Sequence, residues 1–286
     1  MTDSTDYRVW LITGCSSGFG RALVGGALDA GQRVVATARN AADIADLAVE
    51  GRCRTMALDV TDTASFPELV ANATAAFGTI DVLVNNAGYG LLGAVEECSD
   101  EQTRRNFETN FFGPVNLTRA VLPLMRAAGR GHIVNISAAA AVSNYAGFGL
   151  YGGAKAALEL TSESLRVELQ PLGIKVMLVE PGPFRTAFIA RGIEKGAVEI
   201  DDYNASARKF GRLLASMDGK QPGDPARAAV AIVSTVLGED APLRLPLGKY
   251  MIKKMRDKAS LLVREADKWE GVATETDFAP AGAPVA

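Results

Sequence analysis

Two side chains suited to proton transfer stand four residues apart in Tyr151-Gly152-Gly153-Ala154-Lys155. The run Phe148 to Leu172 around them reads as a helix, with apolar residues at helical spacing and Gly173 as its stop. Positions four apart share a helix face, so this spacing brings phenol and ammonium together. A free phenol has a pKa near 10, too high to give and retake a proton easily. An ammonium about 4 Å away, at an effective dielectric near 20, favours the phenolate by about 4 kcal/mol. That moves the phenol about three pH units toward neutrality, the range general acid-base catalysis wants.

A second chemical signal lies near the start. Val9 to Thr13 reads as a short buried strand running into Gly14-Cys15-Ser16-Ser17-Gly18-Phe19-Gly20, and Arg21 to Ala30 reads as the helix behind it. Strand, glycine-rich turn and helix are what a pyrophosphate needs: close backbone approach, free N–H groups and a positive dipole end. The spacing Gly-x-x-x-Gly-x-Gly differs from the Gly-x-Gly-x-x-Gly of other dinucleotide folds. Arg33 to Ala38 reads as the second strand. Its end carries Arg39 where an acid would hold a ribose 2′-hydroxyl, and an arginine suits a 2′-phosphate. The expected cofactor is therefore NADP, with NAD as the alternative.

The elements that must position these groups alternate along the chain. Arg54 to Val60 is expected as a third strand ending near Asp59, and Asp81 to Val84 as a fourth, leading into Asn85-Asn86-Ala87-Gly88. Asp100 is expected to cap a helical stretch holding Asn110, kinked or broken at Gly113-Pro114. Ile133 to Ser137 and Ile174 to Val179 are expected as fifth and sixth strands. Leu243 to Pro246 is expected as an edge strand. Alternation of this kind predicts an α/β fold: one Rossmann-like domain with a doubly wound parallel sheet of about seven strands. Within a single domain of 1–286, residues 7–182 form the expected core and 183–222 a lid over the site. Residues 223–270 form C-terminal helices, with Lys249 to Trp269 polar and amphipathic, and 271–286 a poorly ordered tail.

Composition excludes several function classes. Net charge is -3 over 286 residues, which gives no electrostatic footprint for nucleic acid. No apolar run reaches membrane-spanning length, and the acidic opening Met1 to Asp6 is unlike a signal peptide. The three scattered cysteines suggest reduced thiols in a cytoplasmic protein and no zinc site. His132, the single histidine, opens a strand and reads as structural.

Four features in order, Thr13-Gly14-x3-Gly18-x-Gly20, Asn85-Asn86-Ala87-Gly88, Ser137 with Tyr151-x3-Lys155, and Pro181-Gly182-x3-Thr186, resemble the short-chain dehydrogenase/reductase family over roughly residues 7 to 250. The resemblance implies an NAD(P)-dependent oxidoreductase acting on an alcohol/carbonyl pair. It implies Tyr151 as general acid or base and Lys155 as its activator, with Lys155 also reaching the nicotinamide ribose. It further implies Ser137 as donor to the substrate oxygen, and Asn110 in a water relay to Lys155. Asp59 and Val60 would contact adenine, and Asn86, Ala87 and Gly88 would line the cofactor. Pro181, Gly182 and Thr186 would hold its nicotinamide end, and Phe19 and Phe184 would be further cofactor contacts. Thr13 to Gly18 with Ala36 to Arg39 is similar to the branch acting on hydroxysteroids and retinoids, in which Ser16, Ser17 and the arginine surround the 2′-phosphate. A lipophilic substrate and a homodimer or homotetramer paired through the two central helices follow by the same resemblance. The competing reading is a non-catalytic nucleotide sensor or scaffold, which would not need Ser137, Tyr151 and Lys155 together.

Overall fold

The computed structural model describes residues 7–278, so the opening Met1 to Asp6 and the last eight residues of the expected tail lie outside it. In chain order the elements are β1 (Val9–Ile12), α1 (Gly18–Asp29), β2 (Arg33–Ala38), β3 (Cys53–Ala57), α2 (Phe66–Phe77), β4 (Val82–Asn85) and β5 (Gly90–Leu92). They continue with α3 (Asp100–Phe107), α4 (Gly113–Ala128), β6 (Gly131–Ile136), α5 (Ala139–Val142), α6 (Gly149–Leu169) and β7 (Ile174–Pro181). The chain then adds α7 (Phe188–Arg191), β8 (Ile193–Lys195), α8 (Ala207–Ser216), α9 (Pro225–Leu237), β9 (Arg244–Leu247) and α10 (Lys249–Thr274).

Seven strands form one parallel sheet in the order β3-β2-β1-β4-β6-β7-β9. Alternate side chains of each strand feed opposite layers, as the pleat requires. Trp10, Ile12, Val34, Ala36, Val82 and Val84 pack against Leu23, Val24 and Ala27 of α1 and Ile232, Val233 and Val236 of α9. Leu11, Val35, Leu83 and Ile133 pack against Phe66 and Leu69 of α2 and Leu117 and Val121 of α4. The sheet is thus covered on both faces. Its order reverses between β1 and β4, the place where such folds hold ligands beyond the strands' C-terminal ends.

Several expected boundaries move for local reasons. β3 ends at Ala57 because the carboxylate of Asp59 accepts from the backbone N–H and hydroxyl of Thr61, at 2.9 and 2.8 Å, turning the chain early. Ser99, not Asp100, caps α3: its hydroxyl accepts from Gln102 N while the Gln102 side chain accepts from Ser99 N. Between α3 and α4 the kink is a π turn, Glu108–Phe112, and Pro114 sits in the first turn of α4, where its missing N–H costs nothing. Residues 183–222 are built of α7, β8 and α8, and β8 pairs with β5 in a small separate parallel sheet. α10 runs to Thr274, so residues 271–274 of the expected tail are helical.

Candidate active site

The glycine turn is fastened to the neighbouring strand's exit by one buried threonine. Thr13 Oγ1 accepts from the backbone N–H of Asn86 (2.9 Å) and of Ala87 (3.0 Å), and Asn86 Nδ2 donates to Thr13 O (2.8 Å) and Gly14 O (3.1 Å). Gly14 has φ of +72°, and a Cβ there would lie 2.8 Å from Ala87 Cα, so only glycine fits. α1 begins at Gly18 with no acidic residue in its first turn, and the Ser17 hydroxyl does not cap it. Its positive end is therefore left to an anion. Ser16, Ser17 and Arg39 are all exposed, Arg39 at the end of β2. Asp59 is exposed and Val60 buried, next along the same rim. Across the loop, Thr186 sits 3.4 Å from where a Gly18 Cβ would stand, and the rings of Phe19 and Phe184 lie 5.0 Å apart. A cavity of about 600 Å³ opens here, bordered by Gly18, Arg21, Arg185, Thr186 and Arg191. Glycine turn, open helix end and Ala87 cradle fit the pyrophosphate of a dinucleotide.

The chemical groups gather beyond β6 and on α6. Ser137, Tyr151 and Lys155 are 4%, 6% and 4% exposed. Ser137 continues β6, its N–H donating to Val179 O at 2.8 Å. Tyr151 lies in an apolar nest with Leu91, Ala140, Phe148 and Leu214, its ring 5.2 Å from that of Phe148 and 6.0 Å from that of Phe188. Lys155 Nζ donates to Ile136 O at 2.9 Å. Asn110, fully buried in the π turn, donates to Tyr89 O (2.9 Å) and Asn106 O (3.0 Å), which leaves its Oδ1 without a donor among the described residues. A Cβ on Gly88 would lie 2.6 Å from that Oδ1 and 3.3 Å from Lys155 Nζ. Gly88, Asn110 and Lys155 therefore share one small space. Pro181 ends β7, and Gly182 N donates to Leu247 O at 3.0 Å.

The phenol's environment corrects one expectation. Among the described residues no hydrogen bond joins Tyr151 to Lys155, and burial pushes the Tyr151 phenol well above its ordinary value with no cation offsetting it. The helical spacing puts both on one face, but the long lysine stem carries the ammonium across to the end of β6. Burial also pushes Lys155 down to about 8, with Glu159 opposing. His132 sits at the opposite end of β6 from Ser137, and burial pushes its imidazole down to about 3, so it is neutral.

A carboxylate cluster behind the site carries no motif. Ser137 Oγ donates to Glu159 Oε1 at 2.5 Å. Arg244 donates to Glu159 Oε2 at 2.6 Å, to Glu163 at 2.5 Å and to Glu180. The one signal for it in the sequence is Glu159 standing four residues after Lys155, on the same helix face. Burial and the charge of Glu159 raise the Glu180 carboxyl.

A sheet switch point with a fastened glycine turn on one side and a buried serine, tyrosine and lysine on the other defines a Rossmann-type oxidoreductase. The family model described as short chain dehydrogenase matches residues 8–195, and the chain belongs to that family. It is 36% identical to the 3-ketodihydrosphingosine reductase of Bacteroides thetaiotaomicron over 84% of this chain and 88% of that protein. Among solved structures, it is similar to a short-chain dehydrogenase from Streptomyces avermitilis, with 41% identity, a TM-score of 0.88 and 97% and 100% of the two chains covered. It is also similar to a metagenomic short-chain oxidoreductase solved in complex with NADP, with 26% identity, a TM-score of 0.65 and 84% and 96% covered. Among the described residues no helix is long and apolar enough to cross a membrane.

Proposed function

We propose that this oxidoreductase interconverts a lipophilic alcohol and its ketone or aldehyde, with NADP as the preferred cofactor. The observation that carries the reading is the burial of Ser137, Tyr151 and Lys155 together beside Gly88 and the open carbonyl oxygen of Asn110. When bound, the nicotinamide supplies or takes up the hydride. Gly14, Gly18 and Gly20 hold the pyrophosphate, Pro181, Gly182 and Thr186 the nicotinamide end, and Asp59, Val60, Asn86, Ala87, Gly88 and Phe184 line the rest. The exposed Arg39, with Ser16 and Ser17, meets the 2′-phosphate.

Tyr151 gives its proton to the carbonyl oxygen in reduction and takes it back in oxidation. Burial keeps the phenol protonated at rest, which suits a donor. The Lys155 ammonium, which rests on Ile136 O, would favour the phenolate by turning to it as the proton leaves, and Asn110 links Lys155 to solvent through water. Ser137 would bind the substrate oxygen by turning its proton from Glu159 to that oxygen. Leu91, Phe148, Phe188 and Phe210 form the apolar wall around Tyr151, and residues 183–222 cover it. The ketone in the name of the Bacteroides relative supports the same substrate class. All three cysteines are free thiols, which suits the cytoplasm. Pairing through the central helices would make a homodimer or homotetramer.

The test is turnover of hydrophobic ketones and aldehydes with NADPH. Tyr151→Phe is expected to abolish turnover while keeping NADPH binding, and a fully active variant refutes the assignment. Arg39→Asp is expected to shift preference toward NADH, and an unchanged preference removes the case for NADP.

A further inference from the structure

The hydroxyl of Ser137 is oriented from behind the site. Its Oγ donates to Glu159 Oε1 at 2.5 Å, and Arg244 donates to Glu159 Oε2 at 2.6 Å. Ser137 and Glu159 are both buried, so their bond is made away from water. The guanidinium is itself fixed, because it also donates to Glu163 at 2.5 Å and to Glu180. Three carboxylates thus meet one cation. Burial and the charge of Glu159 raise the carboxyl of Glu180, whose Oε2 has no donor among the described residues. A proton taken up by the cluster therefore goes to Glu180, and both Glu159 oxygens keep their donors.

Ser137 and Tyr151 face one place. Lys155, one turn after Tyr151, donates to Ile136 O on one side of Ser137, and Ala138 on its other side packs in the apolar cluster that holds Tyr151. Burial keeps the Tyr151 phenol protonated, and its hydroxyl has no partner among the described residues. The phenol is thus a donor. A serine hydroxyl has one proton and two lone pairs, and with the proton on Glu159 it offers lone pairs only. The two groups that meet the substrate oxygen are therefore one donor and one acceptor. An alcohol oxygen matches both, accepting from Tyr151 and donating to Ser137. A carbonyl oxygen only accepts, so it matches Tyr151 alone unless the serine turns its proton away from Glu159. That turn leaves a buried carboxylate oxygen short of a donor, a loss larger than one new bond to the carbonyl makes good.

We infer that Glu159 is a positioning residue: by holding the Ser137 proton it makes the site select the alcohol form of its substrate over the ketone. This rests on the roles of Tyr151 and Ser137 given above and adds the redox form that the site prefers.

Calorimetric titration of the full chain with a rigid pair of probes tests it, α-tetralol added to the NADPH complex and α-tetralone to the NADP complex, neither of which can react. In the wild type the alcohol is expected to bind about tenfold tighter than the ketone, the value of one hydrogen bond. Glu159→Gln turns an amide NH2 toward Ser137 and frees the serine proton, and the ratio is expected to fall at least about fivefold. Glu163→Gln is the control for a merely structural role, since Glu163 touches the same guanidinium but not the serine, and the ratio is expected to hold. NADPH affinity and circular dichroism confirm the fold of each variant. An unchanged ratio in Glu159→Gln overturns the inference, as does an equal fall in Glu163→Gln. A wild type that holds the ketone at least as tightly as the alcohol, or holds neither, overturns it too. Turnover by Tyr151→Phe separates the two levels. An inactive Tyr151→Phe with an unshifted ratio in Glu159→Gln sinks the role of Glu159 alone, whereas a fully active one removes the donor on which the preference depends, and both readings fall.

Discussion

Ser137 Oγ donates its single proton to Glu159 Oε1 over 2.5 Å, while Arg244 holds the other oxygen of that carboxylate at 2.6 Å. A carboxylate gripped from both sides only accepts, so the serine turns a lone pair toward the pocket. In Glu159→Gln the guanidinium claims the amide oxygen, and the amide NH2 is left facing Ser137. The serine proton is then free to meet a carbonyl oxygen. Ketone substrates are expected to bind the dead-end complex with NADP about fivefold to tenfold tighter, the value of one added hydrogen bond. Calorimetric titration measures this, and weaker or unchanged binding contradicts it.

Lys155 gives the reaction a pH limb with a definite sign. Burial pushes its ammonium down to about 8, so the charge is present below that pH and lost above it. The Tyr151 phenol is pushed the other way and stays neutral through this window. Activity is therefore expected to fall as pH rises through about 8, with Lys155 as the titrating group. Lys155→Arg keeps its charge at all accessible pH, so its lower activity is expected to show no such limb. A limb at the same pH in the arginine variant assigns it elsewhere.

The parts of the site written in local chemistry were legible before any coordinates. The turn from Gly14 to Gly20, the exit at Asn85 to Gly88 and the helical spacing of Tyr151 and Lys155 each express a backbone need or a period. The seven strands of the main sheet were legible for the same reason, as short apolar runs between turn residues. The direction of a long side chain is not local, and Lys155 reaches the end of β6 instead of the phenol. The Glu159–Arg244 pair spans 85 residues, and the pairing of Gly90 with Ile193 depends on how residues 183–222 fold back. No periodicity encodes either.

Arg244 holds three carboxylates, of which Glu159 and Glu180 are buried. Arg244→Met keeps the stem's packing but leaves those acids without a cation. Removing one partner of a buried charge pair costs about 3 kcal/mol or more, and the guanidinium's partial exposure points to the lower end of that range. Glu180 has its carboxyl raised by burial. Its folded form therefore prefers the proton, and the stability it contributes is present at low pH and lost as pH rises through the folded value. The variant's deficit should accordingly shrink as pH falls toward the carboxylate range, which urea titrations at several pH values would detect. A pH-independent deficit would point to lost packing instead.

Gly88 tests whether the space between Asn110 and Lys155 is functional. A methyl group there would press on Asn110 Oδ1 at 2.6 Å and on Lys155 Nζ at 3.3 Å. The backbone itself is not strained, because Gly88 is not among the residues with positive φ. The ammonium has room to yield by a few tenths of an ångström, whereas the asparagine is pinned by Tyr89 O and Asn106 O. Gly88→Ala should thus cost about 1–3 kcal/mol of stability, typical of overpacking. Displacing two groups around the reacting centre is expected to lower kcat by about a hundredfold, the scale of a 1 Å misplacement. Steady-state kinetics beside thermal unfolding separates the two effects. Full kcat with the expected loss of stability would mean that Asn110 and Lys155 need no fixed separation for the chemistry.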